Sequence, residues 1–163
     1  MAPKLELAFT LRTYVNKNIS DIGPVKGASG PLRRLVPITH GSITFANSSI
    51  QGKVLGPGAD WVLQDVAGGI AHLDIRTHAN GALYLHYPGI LSVDIAAAKV
   101  LGFAADASTT EFGDNKTWFT TPVIETSDEG LKWMESAVFV GQGRWVVDEN
   151  GNSAEYAVYK VVN

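Results

Sequence analysis

Apolar and polar residues alternate with a period of two along much of the chain. One face of an extended segment near the N-terminus carries Leu5, Leu7, Phe9 and Leu11. This alternation predicts a half-buried β-strand. Runs rich in β-branched and aromatic residues predict further strands at Arg33–Thr39, Ser42–Phe45, Ile50–Leu55, Trp61–Val66, Ile70–Ala79, Ala82–Tyr87, Trp118–Thr126, Ala137–Val147 and Ala154–Val162.

Glycine, proline and asparagine separate these runs. Ser20–Pro31 reads as a loop, and Asn80-Gly81 is the strongest signal for a two-residue hairpin turn. Because the last strand is expected to pair with the first, the sheet would have no free edges. The pattern therefore predicts an all-β fold, a closed antiparallel barrel of roughly eight to ten strands.

One segment departs from the strand pattern. Asp94–Leu101 is rich in strong helix formers, with Ser92 as the predicted N-cap and Gly102 as the stop. Asp128–Glu135 favours a further helical turn. Since the chain has 163 residues and shows no repeat or linker, we expect one β-barrel domain over residues 1–163 with one short helix.

Composition removes several function classes. The formal net charge is −3 and there are no runs of Lys or Arg, so nucleic acid is not an expected partner. There are no cysteines, which excludes disulfides and thiolate chemistry. The sequence lacks a signal peptide and an apolar stretch of the ~20 residues that span a bilayer. We therefore expect a cytoplasmic protein with no membrane partner.

The most informative segment is an ionisable stripe on one face of the strand at Ile70–Ala79, formed by His72, Asp74, Arg76 and His78. A two-residue turn at Asn80-Gly81 would place Asp74 opposite Tyr87. The stripe is either a solvated face with a weak ion pair or part of a ligand-lining surface. The two histidines lie about 20 Å apart along the strand, so we predict no metal site.

Three other segments carry candidate chemistry. Gly56–Trp61 is either a turn leading to a buried Trp61 or the point where Asp60 and Trp61 stand at the mouth of the barrel. Trp118-Phe119 is either core or a ligand platform. His40 is predicted to lie at a strand end, where functional residues concentrate, although a lone histidine in such a position is more often structural.

Several short motifs occur in a specific order over almost the whole chain. They are Arg33 to Thr39, Gly52 to Leu55, Gly58 to Trp61, Leu73 to Arg76, Gly81 to Leu85, Phe119 to Pro122, Glu125-Thr126, Trp133, Phe139-Val140 and Val158 to Val161. In this order they resemble an uncharacterised barrel family, domain of unknown function 3237.

The resemblance implies a lipocalin-like barrel, often dimeric, with a central cavity and no cofactor. Some similar sequences look like accessory proteins of secondary-metabolite pathways. The residues that the resemblance places at the cavity are Arg34, Asp60, Trp61, Asp74 and Arg76. Two departures, His40 in place of a glycine and a shorter hairpin at Asn80-Gly81, imply a more open site.

Two functions follow from these expectations. The first is a cofactor-independent isomerase or cyclase that acts on a mostly apolar small molecule by acid/base and electrostatic catalysis. Its candidate catalytic residues are Asp74, Arg76, Asp60 and His40. Its candidate substrate-binding residues are Arg34, Trp61, Tyr87, Trp118 and Phe119. The second is a non-catalytic carrier barrel for the same class of molecule. For either function we expect a small-molecule partner, and the resemblance implies a homodimer.

Overall fold

A computed structural model of the chain describes residues 1–46, 51–65 and 69–163. Its strands are β1 (Lys4–Val15), β2 (Ser20–Pro24), β3 (Leu32–Phe45), β4 (Gln51–Gln64), β5 (Ile70–Ala79), β6 (Leu83–Ser92), β7 (Phe119–Thr120), β8 (Val123–Thr126), β9 (Phe139–Asp148) and β10 (Gly151–Val162). The described helical segments are α1 (Ile95–Leu101) and a 3₁₀ helix (Glu129–Ser136).

Eight of these strands close into an antiparallel barrel. Neighbouring strands follow the order β1, β10, β9, β7, β6, β5, β4 and β3, and β3 pairs with β1 again. The remaining two strands add to this ring, β2 beside β3 and β8 beside β6. The predicted barrel and the pairing of the last strand with the first are therefore confirmed.

Alternation places side chains inside or outside the barrel, as the period of two requires. Strand β5 shows this regularly, because its odd-numbered residues from Ala71 to Ala79 are buried. In β1 the alternation is interrupted by a register shift between Leu7 and Phe9. As a result Phe9 and Leu11 are buried, whereas Leu5 and Leu7 are exposed, so the predicted common face of these four residues is wrong.

Two segments predicted to break strands lie within them. His40-Gly41 belongs to β3, and the segment from Gly56 to Asp60 belongs to β4, each beside a register shift. At Gly41 the backbone of β1 is so close that a Cβ atom would stand 1.9 Å from the Arg12 carbonyl oxygen. This glycine therefore permits strand contact rather than a turn. Of the predicted strand ends, Ile50 and Val66 lie outside the described residues.

Two turns also differ from expectation. The predicted loop Ser20–Pro31 begins with strand β2, which pairs with β3. The β5–β6 hairpin pairs Ala79 with Leu83, so its loop has three residues, with positive φ at Asn80 and Gly81. The extra residue moves the register by one, and it places Asp74 opposite Pro88 instead of Tyr87.

The helical segments are short and capped by aspartates. Asp94, rather than the predicted Ser92, caps α1 by accepting a hydrogen bond from the Ala97 N–H (2.8 Å). Gly102 ends the helix as predicted. Asp128 caps the 3₁₀ helix. Within the described parts of the chain, neither helix approaches the length and apolarity needed to cross a bilayer.

The barrel interior has two different halves. One half is a packed core around Phe9, whose ring centroid lies 6.0 Å from that of Phe45 and 5.9 Å from that of Phe139. The other half lies beneath α1 and contains a cavity. The internal free space therefore lies in the half of the barrel beneath α1.

Candidate functional site

The cavity has a volume of about 340 Å³, at the lower end of the range for small-molecule sites. Aliphatic side chains from four strands form most of its wall: Val36, Ile38, Val62, Leu73, Ile75 and Leu91. Residues Ala98, Leu101 and Gly102 of α1 and its C-cap close one side. The polar residues on the wall are few, so each of them is informative about the chemistry.

Asp60 is the carboxyl group on this wall. It lies on the inner face of β4, opposite Val36 of β3 and Ile75 of β5. Its Oδ1 atom accepts a hydrogen bond from the backbone N–H of Asp74 (3.0 Å). Burial raises the pKa of Asp60 to about 7, and the charge of Asp74 adds to the effect, while that N–H and Arg33 oppose it. Both protonation states are therefore populated at neutral pH.

Two tyrosines lie near this carboxyl group. Tyr156 lines the cavity. The ring of Tyr87 packs against the ring of Tyr156, with centroids 5.3 Å apart. Burial raises the pKa of each phenol well above its ordinary value, and the charge of Asp60 contributes to both shifts. Because the phenols stay protonated, each has a neutral O–H group that can donate a hydrogen bond.

A pair of tryptophans forms another part of the wall. The ring centroids of Trp118 and Trp145 lie 4.4 Å apart, and both residues line the cavity. Trp118 fits because β9 carries Gly143, where a Cβ atom would stand 2.3 Å from the indole ring. Neither indole N–H has a hydrogen-bond partner among the described residues. The predicted contribution of Trp118 to the ligand wall is consistent with this position.

Arg34 and Gln64 lie at the mouth of the cavity. Both residues line it, and the Arg34 guanidinium donates a hydrogen bond to Gln64 Oε1 (3.2 Å). The Arg34 side chain is also partly exposed to solvent. Of the five residues that the resemblance implied at the cavity, Arg34 and Asp60 are in place.

The ionisable stripe lies on the outer face of the barrel. Asp74 accepts hydrogen bonds from Arg76 (3.2 Å) and pairs with His86 (2.8 Å) near solvent. Burial alone would raise the pKa of Asp74, but these hydrogen bonds outweigh it and lower the pKa. The expectation that Asp74 and Arg76 face the cavity is wrong, because alternation in β5 turns Leu73 and Ile75 inward instead.

Three more candidates lie outside the cavity. Trp61 and Phe119 are on the outer face, with 41% and 44% of their surface exposed. Trp61 is therefore neither a core residue nor a residue at the mouth of the barrel, the two positions predicted for it. His40 stacks on the Tyr14 ring, with centroids 4.4 Å apart. It does not line the cavity, so the expected imidazole at the rim is not found there.

Sequence reasoning missed four polar or aromatic residues on the cavity wall: Thr13, Gln64, Trp145 and Tyr156. The signal for Tyr156 was present in the alternation of the last strand, where Ala154, Tyr156 and Val158 share a face. Its pairing with Leu11 of β1 shows that this face is the interior. Among the described residues, His, Asp and Glu side chains form no group of three that would hold a metal ion.

These features define a closed β-barrel with a small, mostly apolar internal cavity and a carboxyl group of raised pKa on its wall. The chain belongs to the family described as "protein of unknown function (DUF3237)", whose model matches residues 3–161. A search of curated proteins finds no match.

Solved structures share this fold. A conserved protein of unknown function from Rhodopseudomonas palustris has 18% identity and a TM-score of 0.77, covering 99% of each chain. A beta-barrel like protein from Acinetobacter baumannii has 23% identity and a TM-score of 0.71, covering 99% of this chain and 97% of its own. An enzyme from Penicillium herquei has 15% identity and a TM-score of 0.54, covering 99% and 96%. At these identities the comparisons show the fold alone.

Proposed function

We propose that this protein is an enzyme that transfers a proton within a small, mostly apolar molecule held inside the barrel, as a cofactor-independent isomerase or cyclase. The observation that carries the proposal is Asp60, a carboxyl group with a pKa of about 7 on the wall of an apolar cavity. Acid/base catalysis works best when the pKa of the catalytic group lies near the operating pH. A carboxyl group with an ordinary pKa is almost fully ionised at neutral pH, so it would act poorly as an acid.

Asp60 would act in both directions of a proton transfer. As a carboxylate it takes a proton from a carbon or hydroxyl of the substrate, and as a carboxylic acid it returns that proton to a different carbon. The net result is a shifted double bond, or a ring closed by intramolecular addition, with no atom gained or lost. Neutral Tyr156 would donate a hydrogen bond to the oxygen on which negative charge develops.

The surrounding wall supports this chemistry by excluding water. Aliphatic residues of β3, β4 and β5 and the tryptophan pair surround the carboxyl group. In such a setting electrostatic interactions are stronger than in water. A reactive anion formed there is also protected from protonation by solvent.

The test measures proton transfer directly. The protein is incubated in D₂O with 2-tetralone, a small apolar ketone with acidic α-hydrogens, and deuterium incorporation is followed by NMR. We expect exchange above the buffer rate, and a loss of at least about a hundredfold in Asp60→Asn. Glu125→Gln is the control, because it changes an exposed acidic residue on the outer face of β8. Equal exchange by the wild type and Asp60→Asn would contradict the proposal.

The second candidate is a carrier without chemistry. The observation that favours it is the cover over the cavity, where Asn152 donates a hydrogen bond to the Val100 carbonyl of α1 (2.7 Å). A carrier would return every bound molecule unaltered, and Asp60→Asn would change affinity alone. Recovery of 2-tetralone without added deuterium, despite saturable binding, would favour this function.

A further inference from the structure

Arg33 and Arg34 are neighbours in the chain but lie on opposite faces of β3. Arg33 is on the outer face, where its guanidinium donates a hydrogen bond to the Trp61 carbonyl (2.7 Å). Arg34 lines the cavity. Among the described residues that line the cavity, Arg34 is the only lysine or arginine. The mouth of an otherwise apolar cavity therefore carries one fixed positive charge.

Most of the hydrogen-bonding capacity of Arg34 is unused. A guanidinium has five N–H donors, and among the described residues Arg34 makes one hydrogen bond, to the neutral amide of Gln64. By contrast, Arg12 and Arg144 each make two hydrogen bonds to Glu155 on the outer face. Arg34 is thus a charged group with donors available at the cavity.

Asp21 of β2 lies opposite Arg34 and forms a long ion pair with its guanidinium. Asp21 Oδ2 lies 3.6 Å from Arg34 Nε, which is too long for a hydrogen bond. The other carboxylate oxygen, Oδ1, accepts from the backbone N–H of Gly23 (3.0 Å). Asp21 is itself largely exposed, so solvent screens its attraction for Arg34.

The strand register sets the distance between this cation and the interior acid. Arg34 is opposite Val62, and Asp60 is opposite Val36, on the same inner face. The two layers are two residues apart, which is roughly 7 Å along a strand. A molecule with a negative group at Arg34 would therefore place its adjoining atoms beside Asp60.

We propose that Arg34 is an anion-binding subsite, and that the cavity takes small amphipathic carboxylates whose apolar body extends past Asp60. A carboxylate accepts two parallel hydrogen bonds from a guanidinium, which adds orientation to affinity. This inference takes from the proposed function only that the cavity binds the substrate. It adds the chemical class of that substrate and the direction in which it enters.

The experiment compares two probes of equal shape, 4-phenylbutyrate and 4-phenylbutanamide, by isothermal titration calorimetry. We expect the wild type to bind the carboxylate roughly ten- to a hundredfold more tightly than the amide, as expected for hydrogen bonds to a charged partner. Arg34→Gln should remove this preference, by weakening the binding of the carboxylate far more than that of the amide. Arg33→Gln is the matched control, because it removes the neighbouring charge from the outer face and should retain the preference.

Three results would overturn the inference: equal binding of both probes by the wild type, no saturable binding of the carboxylate at millimolar concentration, or an unchanged preference in Arg34→Gln. If Arg34→Gln does not fold, judged by circular dichroism, the comparison of the two probes on the wild type still decides. The assay contains no reaction step. A charge preference without deuterium exchange would therefore overturn the proposed enzyme and leave the subsite standing.

Discussion

At the residue scale, the chemistry of a side chain depends on whether it lies on the inner or the outer face of its strand. Asp60 faces an apolar cavity and has a raised pKa, whereas the next residue, Trp61, is exposed on the outer face. Asp74 is on the outside too, and its pKa is lowered. The same side-chain type therefore has opposite properties, since burial penalises the charged form and hydrogen bonds to the carboxylate favour it.

The raised pKa of Asp60 predicts a specific dependence of stability on pH. The folded-state pKa of about 7 lies above the ordinary value of 3.8, so the folded chain binds this proton more tightly than the unfolded chain. The stabilising contribution is fully present below about pH 4 and is lost as the pH rises through about 7, up to about 4 kcal/mol in all. Asp60→Asn stays neutral and should not show this loss.

Urea unfolding measures this difference. Between about pH 5 and pH 8, the free energy of unfolding of the wild type should fall relative to that of Asp60→Asn. Other titrating groups contribute equally to both proteins, so the difference isolates Asp60. A constant difference across this range would show that the carboxyl group titrates at an ordinary pH.

At the element scale, the pairing of β4 with β5 connects the inner carboxyl group to the outer ion pair. The Asp74 backbone holds Asp60, and the Asp74 charge raises its pKa. We therefore expect Asp74→Asn to bring the pKa of Asp60 below its value of about 7. Titration of the Asp60 carboxyl carbon by ¹³C NMR measures this, with Glu125→Gln on β8 as an outer-face control. An unchanged pKa in Asp74→Asn would show that the two carboxyl groups do not interact through the sheet.

A buried side-chain hydrogen bond connects the C-terminal end of helix α1 to β10. Asn152 of β10 is buried and donates to the Val100 carbonyl. Asn152→Ala removes this hydrogen bond, while the carbonyl still accepts from the Phe103 N–H (3.2 Å), so we expect a cost of about 0.5–1.5 kcal/mol. Hydrogen exchange should accelerate in α1 and much less in the β9–β10 hairpin. Equal acceleration in both elements would mean that the contact supports the whole barrel rather than the cover.

At the scale of the whole molecule, closure of the barrel brings Glu155 of β10 between Arg12 of β1 and Arg144 of β9. Glu155 is buried, and its carboxylate accepts from both guanidinium groups. Glu155→Gln should destabilise the fold by about 1–3 kcal/mol, because both arginines lose a charged acceptor. Urea unfolding measures the loss. Lys99→Met, which breaks an exposed pair with Asp106, is the control and should cost less than about 1 kcal/mol.

The sequence by itself determined the class of fold and most of its elements. Alternation with a period of two predicted the barrel, and the helix formers before Gly102 predicted α1. These two correct predictions share a cause, because strand and helix patterns are local properties of the chain. The homodimer and the cytoplasmic location stay predictions.

Only the tertiary structure decided which residues form the site. In β5 one face carries His72, Asp74 and Arg76, so local patterning left open whether that face was solvated or lined a ligand site. The bulges in β1 and β3 and the third residue of the β5–β6 loop each shift the register by one position, and the irregularity in β4 shifts its pairing with β5 by two. A shift of one residue moves every side chain beyond it to the opposite face of the sheet. The residues of the cavity wall are therefore known only when all strands are paired around the closed barrel.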